Sequence, residues 1–160
     1  MFGILNNEEI EKVMKAHSIG RIGCHSNEKM YVVPISYVYD NDCIYCHSHE
    51  GLKINIMRQN PKVCFEVDTL ENLNAWKSAI AWGEFEEIKN EDERKAALKL
   101  MLDKALPFTK SKTMKMELGS NYPFAPDDLS KIHGIVFKIK LHEKTGRFEL
   151  NDNKENYLNG

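Results

Sequence analysis

The chain has 160 residues, the usual length of one domain, with 29% charged residues, 42% apolar residues and a formal net charge of −2. That balance argues against a disordered chain and against a polyanion-binding surface, and so against nucleic acid as a partner. No apolar run reaches the roughly 18 residues of a membrane-spanning helix, and "MFGILNNEEIEK" lacks the basic-then-apolar order of a secretory signal, so one cytoplasmic domain over residues 1–160 with no membrane segment is expected.

Asn6 or Asn7 caps a first helix, with Ile10, Val13, Met14 and His17 at three- and four-residue steps and Glu8, Glu9 and Glu11 near its positive end. It should end before Gly20. Five segments rich in β-branched and aromatic residues follow: "SIGRIGCHS", "KMYVVPISYVYD", "DCIYCHS", "KVCFEVD" and "WKSAIAWGEFEEI". "YDND" is a hairpin signal between the second and third. One short helix, Gly51 to Gln59, interrupts the series and is stopped by Pro61. Such short connections favour antiparallel pairing, because parallel strands need longer crossovers.

Asn90 to Leu106 reads as the clearest helix, with Ala97, Leu98, Met101, Leu102 and Leu106 on one stripe. Pro107 to Met116 is a lysine-rich loop, "YPFAPDDL" supplies turns or a single helical turn, and "IHGIVFKIKLHEKTGRFEL" returns to strand alternation. About six antiparallel strands and three helical pieces sharing one core form a closed or nearly closed barrel most economically, with a sandwich as the other architecture.

The chemistry concentrates in "YCHSHEGLKINIMRQNP", Tyr45 to Pro61. Zinc is disfavoured there, because Cys43 and Cys46 point to opposite sides of a strand while His47 and His49 share a side with Cys43. Nucleophilic catalysis is disfavoured as well, because the adjacent pairs Cys24–His25 and Cys46–His47 diverge on a strand. The four cysteines, at 24, 43, 46 and 64, are expected to be free thiols.

An anion fits better. A strand running through Gly51 into a helix brings unpaired amides and the positive end of the helix dipole to one spot. Ser48 and His49 add donors and Lys53 adds a charge, so a phosphate is the natural occupant. Taken singly, Lys53 is equally a surface lysine, Gly51 a turn, Ser48 a cap and His49 a solvated side chain.

Upstream, Pro34 should interrupt the strand "YVVPISY" and free neighbouring backbone groups for the edge of a planar heteroaromatic ring, with Val33 and Ile35 against its face. A bulge with no ligand is the alternative. Gly83 in "AWKSAIAWGEF" marks a bulge or a tight approach, and Trp76 and Trp82 are core or interface residues.

In order and spacing, "YVVPISYVYDNDCIYCHSHEGLKINIMRQNPKVCFEVD", "WKSAIAWGEFEEI" and "IVFKIKLHEKTGR" resemble the FMN-binding split-barrel family. The likeness is to its pyridoxamine 5′-phosphate oxidase-like branch, which includes the nitroimidazole-resistance proteins, and it covers most of residues 19–147. It implies a mainly β fold, a six-stranded antiparallel split barrel with flanking helices, and a homodimer with FMN in a groove between subunits. By position, Val33, Pro34, Ile35 and Ser36 would face the isoalloxazine ring. His47, Ser48, Leu52 and Lys53 match the segment that holds the ribityl phosphate, and Ser78 matches a polar position near the cofactor.

In the nitroimidazole-resistance proteins a histidine near the flavin is implicated, which makes His47 or His49 the counterpart here. The sequence departs from the vitamin B6 oxidases at its "GRFELNDNKENYLNG" end, which lacks their basic substrate-recognition segment. The expected activity is therefore electron transfer through FMN, from a nicotinamide nucleotide to a small organic acceptor such as a nitroaromatic. A non-catalytic flavin- or haem-binding protein of the same fold is the alternative.

Overall fold

The computed structural model describes residues 1–105, 129–130 and 132–150. The expected lysine loop at 107–116 and nearly all of "YPFAPDDL" lie outside the described residues. A three-residue strand, β1 (Phe2–Ile4), precedes helix α1 (Asn7–Ala16). Asn6 opens α1 through a reciprocal cap: its side chain accepts from the Glu9 amide at 3.0 Å, and the Glu9 carboxylate accepts from the Asn6 amide at 2.8 Å. Ile10, Val13 and Met14 are buried, as their spacing requires. His17, expected on the same stripe, has extended backbone instead and ends the helix, with Nε2 2.6 Å from Thr69 Oγ1.

Strands β2 (Ile19–Ser26), β3 (Lys29–Asp40) and β4 (Cys43–Ser48) follow, then α2 (Leu52–Gln59), β5 (Lys62–Asn72), β6 (Ala75–Glu87), α3 (Glu91–Ala105) and β7 (Ile135–Glu149). In the β3–β4 hairpin Asn41 and Asp42 both take positive φ, 47° and 57°, the conformation that a tight two-residue turn needs and that these residue types tolerate.

Strand order β7-β4-β3-β2-β5-β6 closes through β6–β7 pairing, and every ladder is antiparallel. This is the expected mainly β, six-stranded barrel. β1 adds a seventh strand on β7, which three residues of sequence were too short to announce. Gly83 sits at a register shift against β7, and a Cβ there would lie 2.4 Å from the Lys140 carbonyl oxygen, so both roles expected of it hold.

The barrel interior holds Ile22, Ile44, Cys46, Phe65, Phe137 and Ile139, with Met14 of α1 and Ile54 and Met57 of α2 closing over it. α3 lies outside, where Ala97 and Leu98 pack with Ile88, Ile132 and Val136. No helix among the described residues is long and apolar enough to cross a membrane.

Candidate functional site

The wall opens between β3 and β4. These strands pair only over Tyr37–Asp40 and Cys43–Cys46, after which β4 continues along β7. From Ser36 back to Lys29, β3 has β2 on one side and no described strand on the other. The expected interruption at Pro34 does not occur: β3 is continuous and Pro34 stands opposite Arg21.

Backbone direction explains why the proline is tolerated. The Tyr37 amide donates to the Ser18 carbonyl at 2.9 Å, and antiparallel alternation then turns the odd-numbered residues Val33 and Ile35 toward β2 as well. The even-numbered residues face the open side. That edge therefore presents the amides of Val32 and Ser36 and the carbonyls of Val32, Pro34 and Ser36, with the missing N–H of Pro34 falling where no ladder needs it.

Side chains follow the same alternation. Tyr37 and Tyr39 are core residues, so Ile35 is turned inward too, at 8% exposure, with Val33 on the same side. Both side chains point into the barrel, away from the outer surface. Val32, Pro34 and Ser36 occupy that surface.

Leu52, the first residue of α2, lines one hollow with Lys29 at the start of this edge. Gly51 is the N-cap of α2 and makes no side-chain cap bond, so the amides of Leu52, Lys53 and Ile54 are left without an intrahelical or capping partner. A Cβ on Gly51 would meet nothing within 4 Å. Lys53 is half-buried and close enough to the thiols of Cys24 and Cys46 to favour their ionisation, although burial dominates and raises both. Its ammonium has no hydrogen bond or ion pair to any described residue. Leu52 is exposed on the neighbouring helix face.

The histidines and Ser48 are arranged differently from one another. Ser48 is buried and its Oγ donates to the His49 carbonyl at 3.0 Å. His47 Nε2 lies 2.6 Å from the His133 carbonyl, and because a carbonyl only accepts, this nitrogen carries the proton. Burial pushes the His47 pKa below its ordinary value, the His133 bond opposes that, and the charges of His49 and Arg94 depress it further. His49 is exposed, its ring edge-on to His47 at 6.1 Å.

Gly134 makes the His47 contact possible. Its φ is 103°, and a Cβ there would stand 2.7 Å from His47 Nε2. The "HG" pair at the head of β7 was the available signal for this support, and sequence reasoning passed over it.

The structure thus places His47 and Ser48 at the end of β4, His49 directly after it, Leu52 and Lys53 at the start of α2, and Ser36 where β3 and β4 part. Ser78 is not among them. It lies on β6, three strands from β3, roughly 14 Å away at the usual strand spacing. Its Oγ donates to Glu66 at 3.3 Å on the same outer surface as Pro34.

α3 contacts β3 and β4 farther along, where the outward-facing Val38 is buried, whereas Val32 and Pro34 are exposed. The cross-strand rows of that outer surface are Val32, Gly23, Cys64, Trp82 and Glu143, then Pro34, Arg21, Glu66, Ile80 and Thr145. Ile19, Met30 and Val32 are 63%, 85% and 68% exposed on it. At its centre Arg21 donates to Asp68 at 2.6 Å and to Glu66 at 2.9 Å, and these bonds raise its pKa.

An antiparallel barrel split beside an uncapped helix start defines a protein of the split-barrel class. The family model described as pyridoxamine 5′-phosphate oxidase matches residues 6–147, and the chain belongs to that family. It is 30% identical over 149 residues to an uncharacterized protein of Rhizobium meliloti, covering 90% of this chain and 93% of the relative. Among solved structures, a FAD-binding protein from Mesorhizobium loti superposes with a TM-score of 0.67 at 27% identity, covering 92% of this chain and 98% of that one. A candidate 5-nitroimidazole antibiotic resistance protein from Bacteroides thetaiotaomicron superposes with a TM-score of 0.66 at 21% identity, over 92% of this chain and 87% of that one.

Proposed function

We propose that this chain is an FMN-binding flavoprotein, assembled as a homodimer, that transfers electrons from a nicotinamide nucleotide to a small organic acceptor. The observation that carries the reading is the hollow lined by Lys29, at the start of the open β3 edge, and Leu52, the first residue of α2, whose neighbour Lys53 has no ion pair among the described residues. Membership of the family and the likeness to a FAD-binding protein support a flavin.

Each part of the cofactor has a matching group. The phosphate monoester is held by the amides of Leu52 to Ile54 and the Lys53 ammonium, with His49 at the rim. The Val32 and Ser36 amides and the Pro34 carbonyl meet the donors and acceptors on the edge of the ring system. The described corner offers one lysine and one set of amides, which suits a monoester better than the diphosphate of FAD.

A second copy covers the apolar outer surface and closes the groove over the ring, bringing its own Ser78 surface to the cofactor. When bound, the flavin supplies the redox chemistry, and the protein supplies orientation, charge and exclusion of water.

The test is an absorbance spectrum of purified protein before and after adding FMN, with the protein's mass in solution measured alongside. A bound-flavin spectrum on a dimer is expected. Colourless protein that takes up no FMN, or that shows a Soret band with haem and no flavin uptake, overturns the reading.

A further inference from the structure

Glu50 stands one residue before Gly51 and three before Lys53, so its carboxylate is the natural local competitor for the anion corner. An acidic side chain there is drawn to the free amides and to a lysine one helical turn away. It goes to neither. Both Glu50 oxygens are taken by Arg58, from the last turn of the same helix, through Nη1 at 2.9 Å and Nη2 at 2.9 Å.

The same guanidinium is held from its other side by Glu87 at the end of β6, through Nε at 3.0 Å and Nη2 at 3.1 Å. Arg58 is therefore fixed to the barrel wall, and Glu50 is fixed to Arg58. Bidentate arginine–carboxylate pairs are directional as well as charged, so the clasp sets where the Glu50 carboxylate stands and does more than neutralise it.

We propose that Arg58 is a positioning residue for the anion corner: by tethering Glu50 to the wall through Glu87, it keeps an internal carboxylate from occupying the amides of α2 and pairing with Lys53. The flavin consequence rests on the function proposed above, while the diversion of Glu50 does not.

The test uses four forms of the full chain. Wild type carries one positive and two negative charges in the clasp. Arg58→Gln leaves two negative charges, and both Arg58→Gln/Glu50→Gln and Arg58→Gln/Glu87→Gln return the net to one negative. A long-range charge effect would make the two double variants alike. The tether makes them differ: Arg58→Gln and Arg58→Gln/Glu87→Gln bind FMN roughly two- to tenfold more weakly than wild type, and Arg58→Gln/Glu50→Gln recovers.

A second readout needs no flavin. Zero-length carbodiimide coupling, followed by peptide mass spectrometry, should join Glu50 to Lys53 in Arg58→Gln and not in wild type. Coupling that is equal in both proteins, or FMN affinities that match in the two double variants, overturns the proposal. If wild type binds no FMN, the flavin reading falls and the coupling experiment alone decides the tether.

Discussion

Lys144 of β7 donates to Glu11 of α1 at 2.5 Å, joining residues 133 positions apart and fastening the first helix to the last strand. The same ammonium reaches Asp42 in the β3–β4 turn and the Tyr39 hydroxyl at 2.9 Å, and that hydroxyl donates to Glu11 at 2.6 Å. The cluster ties α1, the β3–β4 turn and β7 together, beside the Leu141 amide bond to the Asp42 carbonyl and the Tyr37 hydroxyl bond to the Met14 carbonyl. Lys144→Met should lower unfolding stability by about 1–2 kcal/mol, less than for a fully buried pair because part of the cluster meets water. Urea unfolding measures it, and an unchanged midpoint would show the cluster to be ornamental.

The same cluster fixes the sign of the acid response. For Glu11, burial works to raise the pKa, but bonds from Lys144 and Tyr39 prevail and lower it; Asp42 is lowered chiefly by Lys144. Glu87 is lowered by Arg58 and Glu86 by Lys140. A carboxylate whose folded pKa is depressed contributes stability above its unfolded pKa, about 4, and loses it as the pH falls through the folded value. Unfolding free energy should therefore drop on acidification below about pH 4.5, and Lys144→Met should flatten that slope. A Lys144→Met slope equal to that of wild type would remove the cluster from the acid response.

Lys53→Ala removes a charge-assisted contact of roughly 1.5–3 kcal/mol, so FMN affinity should fall about 10- to 150-fold. Because Lys53 has no ion pair among the described residues, unfolding stability should stay within about 0.5 kcal/mol. Fluorescence titration with FMN and a urea melt separate the two. Unchanged affinity would move the phosphate elsewhere.

Two glycines offer a contrast between support and site. Gly83→Ala places a methyl 2.4 Å from a backbone carbonyl that cannot rotate away, and should destabilise by about 2 kcal/mol or more. Gly51 has φ 167° and ψ −172°, extended values open to any residue, with free space around it. Gly51→Ala should leave the melting temperature unchanged and weaken FMN binding by crowding the amides of α2. A variant that melts early would make Gly51 a structural residue.

Local signals carried much of the fold into the sequence. The Asn6 cap, the Asn41–Asp42 turn and the Gly83 bulge are each specified by neighbouring residues, so they were legible without tertiary information. The candidate site was only half legible. Gly51 and Lys53 marked the start of α2 as a candidate anion corner, but the open edge of β3 depends on where β4 departs, which no residue of β3 encodes. For the same reason Pro34 was read as a break when it marks an edge. The Arg58 clasp spans α2 and β6, and its partners Glu50 and Glu87 are ordinary surface residues until the barrel brings them together.

The homodimer reading makes a demand on Val32. It stands 68% exposed in a row with Gly23, Cys64 and Trp82, on the surface assigned to a second copy, and its backbone lies on the edge assigned to the ring. Val32→Glu puts a charge into the apolar part of that surface, formed by Ile19, Met30 and Val32, where an unpaired buried carboxylate costs several kcal/mol. Inside the monomer the Val32 side chain lies over Gly23 and is otherwise mostly open to solvent. The variant should therefore fold with a wild-type urea midpoint when measured as a monomer, sediment as a single chain, and lose FMN because the groove no longer closes. Wild-type protein that sediments as a monomer, or a Val32→Glu dimer that keeps its flavin, would mean that this surface has some other purpose.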